Sequence, residues 1–283
     1  MPMIAAIAGF FGMIIRFIYE IVNQDYFLSI ILFTILTKII LFPLSLGQIK
    51  STEEMKRISP KDKQIREKYK NDKVKQSEEL TKLYSEHKIN PMGGCLPSLI
   101  QLPIVFAMYY IVKQPLTYIV QTPKEDIKTY TQEVLKKPEV TEQECQINEL
   151  LVAKEKKLID LEVFKGFNLG DVPSNVFSKD PAKKANPLSL AIPILSIVFS
   201  IIQIKQSQKT SSMNEEQMEM QKSMNFMAPF LSGFIAYTFP LALGVYWLFG
   251  NIIQIGQQIL IMEIVKRDEK KGKLTLDKGG DIK

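Results

Sequence analysis

The sequence predicts an all-α integral membrane protein in which five transmembrane helices surround a hydrophilic groove, with a cytoplasmic helical hairpin and an N-terminal interfacial helix. Two observations carry this prediction. Hydrophobic residues make up 46% of the 283 positions, but they gather in a few blocks, whereas most charged residues lie between the blocks. Polar side chains also recur inside the apolar blocks. Such segregation excludes a single water-soluble core and indicates a bilayer.

A helix needs about 20 mainly apolar residues to cross the hydrocarbon layer, because every backbone amide must be bonded internally there. The apolar block from 226 to 262 is too long for one crossing, and Thr238-Phe239-Pro240 predicts a tight turn between two spans. The predicted spans are 25–46, 94–120, 188–205, 225–239 and 240–262.

Basic residues mark the cytoplasmic side of a membrane protein. Segment 47–93 carries 12 basic and 8 acidic residues, and the tail 263–283 carries 7 and 5, whereas segment 121–187 carries 11 and 12. We therefore expect 47–93, the loop 206–224 and the basic tail in the cytoplasm and 121–187 outside. Five spans then require an external N-terminus.

The first 24 residues predict an external interfacial amphipathic helix rather than a span. Arg16 and Glu20 lie four residues apart on one helical face, and apolar residues cover much of the rest. A cleaved signal peptide and a sixth span are the alternatives, although no basic residue precedes Arg16 as a secretory signal would require.

Two charged segments are expected to fold outside the bilayer. In 47–93, apolar residues at three- and four-residue steps predict a helical hairpin with its turn at Asn71-Asp72, and a plain solvated connector is the alternative. The external loop 121–187 contains a predicted helical segment over about 141–164.

Several function classes are disfavoured by composition. The excess of six positive charges is too small and scattered for direct nucleic-acid binding. Two cysteines and one histidine are too few for a disulfide framework or a Cys/His zinc site. No phosphate loop, nucleophile turn or paired carboxylates occur, so we expect neither an enzyme nor a cofactor.

Lys38 lies deep inside the first span, where an ammonium costs about 2.5–3.5 kcal/mol on insertion scales. It should therefore face a wet cavity or a polar partner. Thr34, one helical turn earlier, lies on the same face. Snorkelling of the lysine stem toward the cytoplasmic headgroups is the alternative.

Other spans add neutral polar residues, and these predict a hydrophilic lining. Asn251, Gln254 and Gln258 recur at helical spacing on one face of the last span, and Gln101 and Gln203 lie in two others. Each amide taken singly is explained as well by helix–helix packing. From Phe27 onward, the predicted spans contain no carboxylate, which argues against an ion-coupled pump.

Several strings together resemble the YidC/Oxa-type membrane protein insertases, and the resemblance covers nearly all of 27–262. Within this family, the chain is similar to the short form found in single-membrane bacteria. The order of the hydrophobic blocks agrees as well. The strings are TILTKIILFPL, then KINPMGGCLPSLIQLPIVFAMYY, FNLGD at 167–171 and FPLALGVYWLFGNIIQIGQQ at 239–258.

The resemblance implies a groove that is open to the cytoplasm and to lipid, with a basic residue of the first span inside it. That residue is most often arginine in the family and is Lys38 here. Thr34, Gln203, Tyr246 and Trp247 match groove-facing positions, although an interfacial aromatic belt is the alternative for the last two. The hairpin in 47–93 matches the family's cytoplasmic hairpin.

The function implied is that of an insertase and chaperone that accepts nascent hydrophobic segments and releases them sideways into lipid without nucleotide hydrolysis. Its expected partners are nascent membrane proteins, a transiently bound ribosome and the lipid bilayer, with the Sec translocon left open. A small-molecule or ion transporter that uses the same polar lining is the alternative function.

Overall fold

The computed structural model describes residues 2–87, 96–180, 184–209 and 215–270, and within them the chain is almost entirely helical. The hairpin end at 88–93, the NPMGGC string, part of the loop 206–224 and the tail beyond Lys270 therefore lie outside the described residues. The helices are α1 (Pro2–Ile21), α2 (Tyr26–Ile40), α3 (Phe42–Lys68), α4 (Lys73–Glu86), α5 (Leu96–Lys113), α6 (Lys124–Leu135), α7 (Glu142–Glu155), α8 (Ala191–Lys209), α9 (Glu215–Thr238) and α10 (Leu241–Lys270).

Length and apolar composition allow three of these helices to cross a membrane, and their apolar stretches are Ile4–Ile21, Pro187–Ser207 and Leu241–Asp268. A fourth crossing is possible if α2 and the start of α3 form one bent span. The apolar parts of α5 and α9, Gln101–Lys113 and Phe226–Thr238, are shorter. The structure is thus that of an all-α membrane protein, and five spans and an interfacial α1 stay predictions.

The predicted first span, 25–46, is not one straight helix. Its chain bends by 53° between α2 and α3 at Leu41, and α3 then continues without a break into the charged region. Pro43 lies in the first turn of α3, where its missing N–H has no helical acceptor to lose. The expected boundary at 46/47 therefore falls inside a helix.

The expected span 94–120 also divides. Its helix α5 ends at Lys113, Gln114 and Pro115 follow, and a π-helical turn occupies Leu116–Val120. Proline lacks the N–H needed to continue the helical hydrogen-bond pattern, so the break falls at this point.

The charged region after the bend forms a two-helix hairpin from the second half of α3 and from α4. Residues 69–72 connect the two helices, close to the expected turn. The pair has a small apolar core of its own, separate from the main one, made of Ile58, Ile65, Leu80 and Leu83.

Helices α1, α2, α5, α8, α9 and α10 share the main apolar core. Two glycines let helices approach α8 closely: a Cβ on Gly233 would lie 2.7 Å from the Ile197 side chain, and one on Gly244 would lie 2.8 Å from Ile192. One face of α1 belongs to this core, whereas Phe10 and Phe17 on the other face are exposed.

The segment between α5 and α8 differs from the prediction of one helix over about 141–164. Helix α7 begins with a capping box between Thr141 and Glu144 and ends at Glu155. An antiparallel hairpin follows, made of β1 (Glu162–Phe164) and β2 (Phe167–Asn168), and it turns at Gly166, where φ is +85°. Helix α6 was not predicted.

The FNLGD string binds this segment to the start of α10. The backbone carbonyls of Leu169 and Asp171 accept hydrogen bonds from Ala242 N and Leu241 N, at 2.9 and 2.8 Å. These amides begin α10 and have no acceptor within their own helix. The string thereby caps α10, while two 3-10 turns, Pro173–Phe177 and Pro187–Leu190, lead the chain to α8.

Candidate functional site

Lys38 lies between α2 and α10, near the end of α2. Its Nζ donates a hydrogen bond to Gln254 Oε1 at 3.1 Å, and its Cε lies 3.8 Å from the position that a Cβ on Gly250 would take. The lysine stem thus lies within van der Waals reach of α10 at Gly250. Within the described ranges, no carboxylate lies within ion-pair distance of this ammonium.

A second glutamine of α10 holds the lysine through its backbone. Gln257 Nε2 donates to Lys38 O at 2.7 Å, and this carbonyl belongs to the last turn of α2, just before the bend at Leu41. Carbonyls at a helix end have lost their intrahelical donors, so the glutamine satisfies one of them. Gln257 was not among the predicted site residues, although it lies three positions after Gln254.

Buried polar atoms without a partner lie next to this contact. Among the described residues, Asn251 Nδ2 and Gln257 Oε1 are buried and accept or donate no hydrogen bond within the protein. Asn251 precedes Gln254 by almost one helical turn. A polar group that is buried without a partner is costly, so these two atoms mark a place suited to water or to polar groups of a visiting chain.

Thr34 is fully buried, and its hydroxyl is engaged by its own helix. Thr34 Oγ1 donates to Ile30 O at 2.6 Å, and Thr37 Oγ1 donates to Thr34 O at 2.8 Å. Both hydroxyl hydrogens are therefore used within α2, and in the described part of the chain the Lys38 ammonium donates to Gln254 and to neither threonine.

Gln101 and Tyr246 form one link between α5 and α10. Gln101 Nε2 donates to the Tyr246 hydroxyl at 2.9 Å, and the tyrosine ring lies 6.5 Å from the ring of Phe33 on α2. Tyr246 is only 3% exposed. This residue therefore packs inside the helix bundle, which differs from the exposed position of an interfacial aromatic belt.

No hydrogen bond joins Trp247 or Gln203 to Lys38 in the described part of the chain. Trp247 Nε1 donates to Ser232 Oγ at 2.8 Å, so the indole faces α9. Gln203 on α8 is half-buried, whereas the polar link from α8 to α10 comes from Gln206, whose Nε2 donates to Ile255 O at 3.2 Å. Gln206 was not predicted.

The contact with α10 continues beyond the bend at Leu41 into the first half of α3. Lys50 Nζ lies 2.9 Å from Asp268 Oδ2, which joins α3 to the far end of α10. Lys38 and Lys50 follow one another in the same order as their partners Gln254 and Asp268. Helix α10 therefore contacts both α2 and the part of α3 that leads into the hairpin.

The fold and the site define a class of protein: a polytopic helical bundle in which amide side chains hold a lysine. Comparison with protein families gives a match to the family "60Kd inner membrane protein" over residues 17–270. The chain therefore belongs to this family, as the sequence resemblance predicted, and it is a multi-pass bacterial membrane protein.

Curated relatives carry the name "Membrane protein insertase YidC". The protein of Oceanobacillus iheyensis is 30% identical over 84% of this chain and 75% of its own length. The protein of Clostridium perfringens is 29% identical over 89% of this chain and 84% of its own length. That of Geobacter metallireducens is 28% identical over 91% of this chain, which spans only 37% of the relative's length.

Proposed function

We propose that this protein is a membrane protein insertase that receives nascent hydrophobic segments beside Lys38 and releases them sideways into the bilayer. The observation that supports the proposal best is the lysine itself, held by Gln254 between α2 and α10 and next to unpartnered amide atoms. The names of the relatives agree with this role.

The charge explains how such a site acts. A segment with a hydrophilic end must carry polar groups past hydrocarbon, which is costly without a wet path. An ammonium in a groove of low dielectric attracts acidic groups over several ångströms. The apolar part of the segment then partitions into lipid, which releases free energy without nucleotide hydrolysis.

The wider arrangement completes the proposal. Five spans enclose a groove that opens to the cytoplasm, the N-terminus is outside, α1 lies in the external interface, and the hairpin of α3 and α4 lies in the cytoplasm. The groove is lined by Thr34, Gln101, Gln203, Tyr246, Trp247, Asn251 and Gln254. Partners are nascent membrane proteins and a transiently bound ribosome, with the Sec translocon left open.

The test compares Lys38→Gln, Lys38→Ala and Lys38→Arg in proteoliposomes that receive a single-span substrate with an acidic external tail. We expect the first two variants to lose most insertion and Lys38→Arg to retain it. Lys205→Gln, which removes an exposed lysine of α8, is the matched control. Full insertion by Lys38→Gln and Lys38→Ala would refute the role of the charge.

A photo-crosslinker placed at Asn251 gives an independent readout. It should label ribosome-bound nascent chains, and the label should move to lipid or to released product once synthesis ends. Flux of small solutes through the same vesicles, without any crosslink to nascent chains, would instead favour the transporter.

A further inference from the structure

Three exposed apolar side chains come from three successive turns of the segment that leads into α8. Phe164 ends β1, Phe177 ends the first 3-10 turn, and Leu188 belongs to the second 3-10 turn. Their exposed fractions are 56%, 76% and 51%. We call these three side chains the loop patch.

The three turns that carry the loop patch contact one another. A Cβ on Gly166, in the turn after β1, would lie 2.6 Å from Asn186 Nδ2, so this turn lies against the start of the second 3-10 turn. Ala185 N donates to Asn175 O at 3.3 Å, which joins the two 3-10 turns. The backbone thus gathers the turns at one place, and a cluster of exposed apolar groups marks an interaction surface.

The loop patch lies at the boundary of a membrane-crossing stretch. The apolar stretch of α8 begins at Pro187, next to Leu188 in the patch. The first 3-10 turn contacts α9, whose apolar part ends at Thr238. The patch therefore extends, beyond the helix ends, the apolar surface that the two helices present to lipid. Exposed members of that surface include Ile194, Val198, Phe230 and Phe234.

Each member of the loop patch has a lysine within four residues of it along the chain. These lysines are Lys165, Lys179 and Lys184. All three are exposed, and within the described ranges none of them forms an ion pair. From 162 to 190 the chain carries four lysines and three acids, and one of the acids, Asp171, pairs with Lys154. The surface is therefore apolar and positively charged at once.

A phospholipid layer suits this combination better than a protein does. The cores of protein interfaces are poor in lysine, whereas aromatic and basic side chains at the end of a span are typical of the membrane interface. A lysine stem can lie along acyl chains while its ammonium reaches the phosphate groups. The protein also holds Phe164 in place, because its ring stacks on that of the buried Phe167, with the ring centres 5.0 Å apart.

We propose that the loop patch inserts into the lipid leaflet at the start of α8, and that the three lysines bind the phosphate groups of anionic phospholipids. The apolar side chains lie at the boundary between headgroups and acyl chains. The same segment carries the FNLGD string, so this contact also sets the depth at which the cap of α10 lies.

The first test locates the patch relative to lipid and water. The full chain, with both cysteines replaced by serine and with Phe177→Cys carrying a bimane fluorophore, is placed in nanodiscs. A phospholipid with a nitroxide on its acyl chain reports contact with lipid, and acrylamide, which is neutral and water-soluble, reports contact with water. We expect strong quenching by the lipid and weak quenching by acrylamide.

Val74→Cys is the matched control, because Val74 is 72% exposed and lies on the charged helix α4. Its fluorophore should be quenched by acrylamide and little by the lipid. Equal acrylamide quenching at the two positions would overturn the proposal. Protection of position 177 from both quenchers would overturn it as well and would indicate a protein partner.

The second test concerns the lysines. At a low mole fraction in phosphatidylcholine nanodiscs, nitroxide-labelled phosphatidylglycerol should quench the fluorophore at position 177 roughly fivefold more than labelled phosphatidylcholine does. The loop variant, which should bring this ratio close to one, combines Lys165→Gln, Lys179→Gln and Lys184→Gln. The control variant, which should keep the parent's ratio, removes three exposed lysines of the hairpin by Lys63→Gln, Lys70→Gln and Lys73→Gln. A ratio near one in the parent, or the same ratio in the parent and the loop variant, would overturn the proposal.

Discussion

The Lys38 ammonium and the Gln254 side-chain oxygen, 3.1 Å apart, form a polar contact between α2 and α10. Gln257 strengthens the same junction by donating to the Lys38 carbonyl. One side chain of α10 thus sets the position of the charge, and another sets the end of the helix that carries it. The acceptor at Gln254 is neutral, so the pair keeps its net positive charge.

Because Gln254 is neutral, a substitution there can separate the effect of net charge at the site from the effect of polarity. Gln254→Glu would form an ion pair with Lys38 and cancel the field that attracts acidic clients. We expect insertion of an acidic-tailed substrate to fall about tenfold, while the thermal midpoint stays equal or rises. Protease protection in proteoliposomes measures insertion, and unaltered insertion by this variant would contradict a role for the net charge.

The ion pair between Lys50 and Asp268 should couple the first half of α3 to α10. Both side chains are about one-third exposed, so the pair contributes at most about 1 kcal/mol. Lys50→Glu should therefore raise hydrogen exchange at the end of α10 and in the first half of α3 without unfolding the protein. The exchanged pair, Lys50→Glu with Asp268→Lys, should restore protection; equal exchange in all three proteins would show that the contact carries no coupling.

Lys38 and the amides of α10 could be identified from the sequence as candidate site residues, because a charge or an amide inside an apolar run is costly unless it has a polar partner or water. Their partners could not. Nothing in the spacing of Gln254, Gln257 and Gln258 indicates which amide reaches the ammonium, since that depends on the rotation of α10 against α2. The same rotation brings the Trp247 indole N–H to Ser232 on α9.

The bend at Leu41 was missed for a related reason. The apolar run continues across Leu41, so hydropathy predicts a single span. Pro43 gives no further help, because the sequence alone does not show whether a proline begins a new helix or ends the preceding one. The strands after α7 escaped detection because they are only two or three residues long.

Asp62 should be a main determinant of hairpin stability. It is 1% exposed, and its carboxylate accepts from Arg66 Nε at 2.7 Å and from the Tyr84 hydroxyl. Burial, together with the bond to Asp62, raises the pKa of Tyr84 to about 12, so the hydroxyl remains a donor throughout the physiological range.

Asp62→Ala removes an acceptor shared by two donors, and we expect it to destabilise the hairpin by about 2–3 kcal/mol. Tyr84→Phe should cost about 1 kcal/mol. Hydrogen exchange at Leu80 and Leu83 measures both effects. Glu79→Ala, which removes an exposed partner of Lys82, is the control and should leave exchange unchanged. Similar protection in Asp62→Ala and the control would refute the assignment.

Glu149 should make the segment between α5 and α8 sensitive to pH. The side chain is 1% exposed, and it accepts from Thr117 N at 2.6 Å and from Thr117 Oγ1 at 2.8 Å, which fixes α7 to the π-helical turn. Burial raises the pKa of Glu149 to about 7, although the bonds from Thr117 and Leu116 partly oppose the rise.

The sign of the effect follows from proton linkage. The folded protein holds this proton more tightly than the unfolded chain, whose carboxyl titrates near 4.5. The stabilisation is therefore complete below pH 4.5, declines as the pH rises to about 7 and is absent above it. A rise from 4.5 to about 7 corresponds to about 3 kcal/mol between the two limits.

Glu149→Gln removes the titration and retains a side chain of the same shape, and the Thr117 hydroxyl can rotate to accept from the new amide. We expect hydrogen exchange at Thr117, corrected for its intrinsic pH dependence, to increase from pH 5 to pH 8 in the parent and to change little in the variant. Glu155→Gln, at the exposed end of the same helix, should follow the parent. Parallel pH profiles for the parent and Glu149→Gln would show that this carboxyl does not control the segment, because its proton would then be held equally by the folded and unfolded chains.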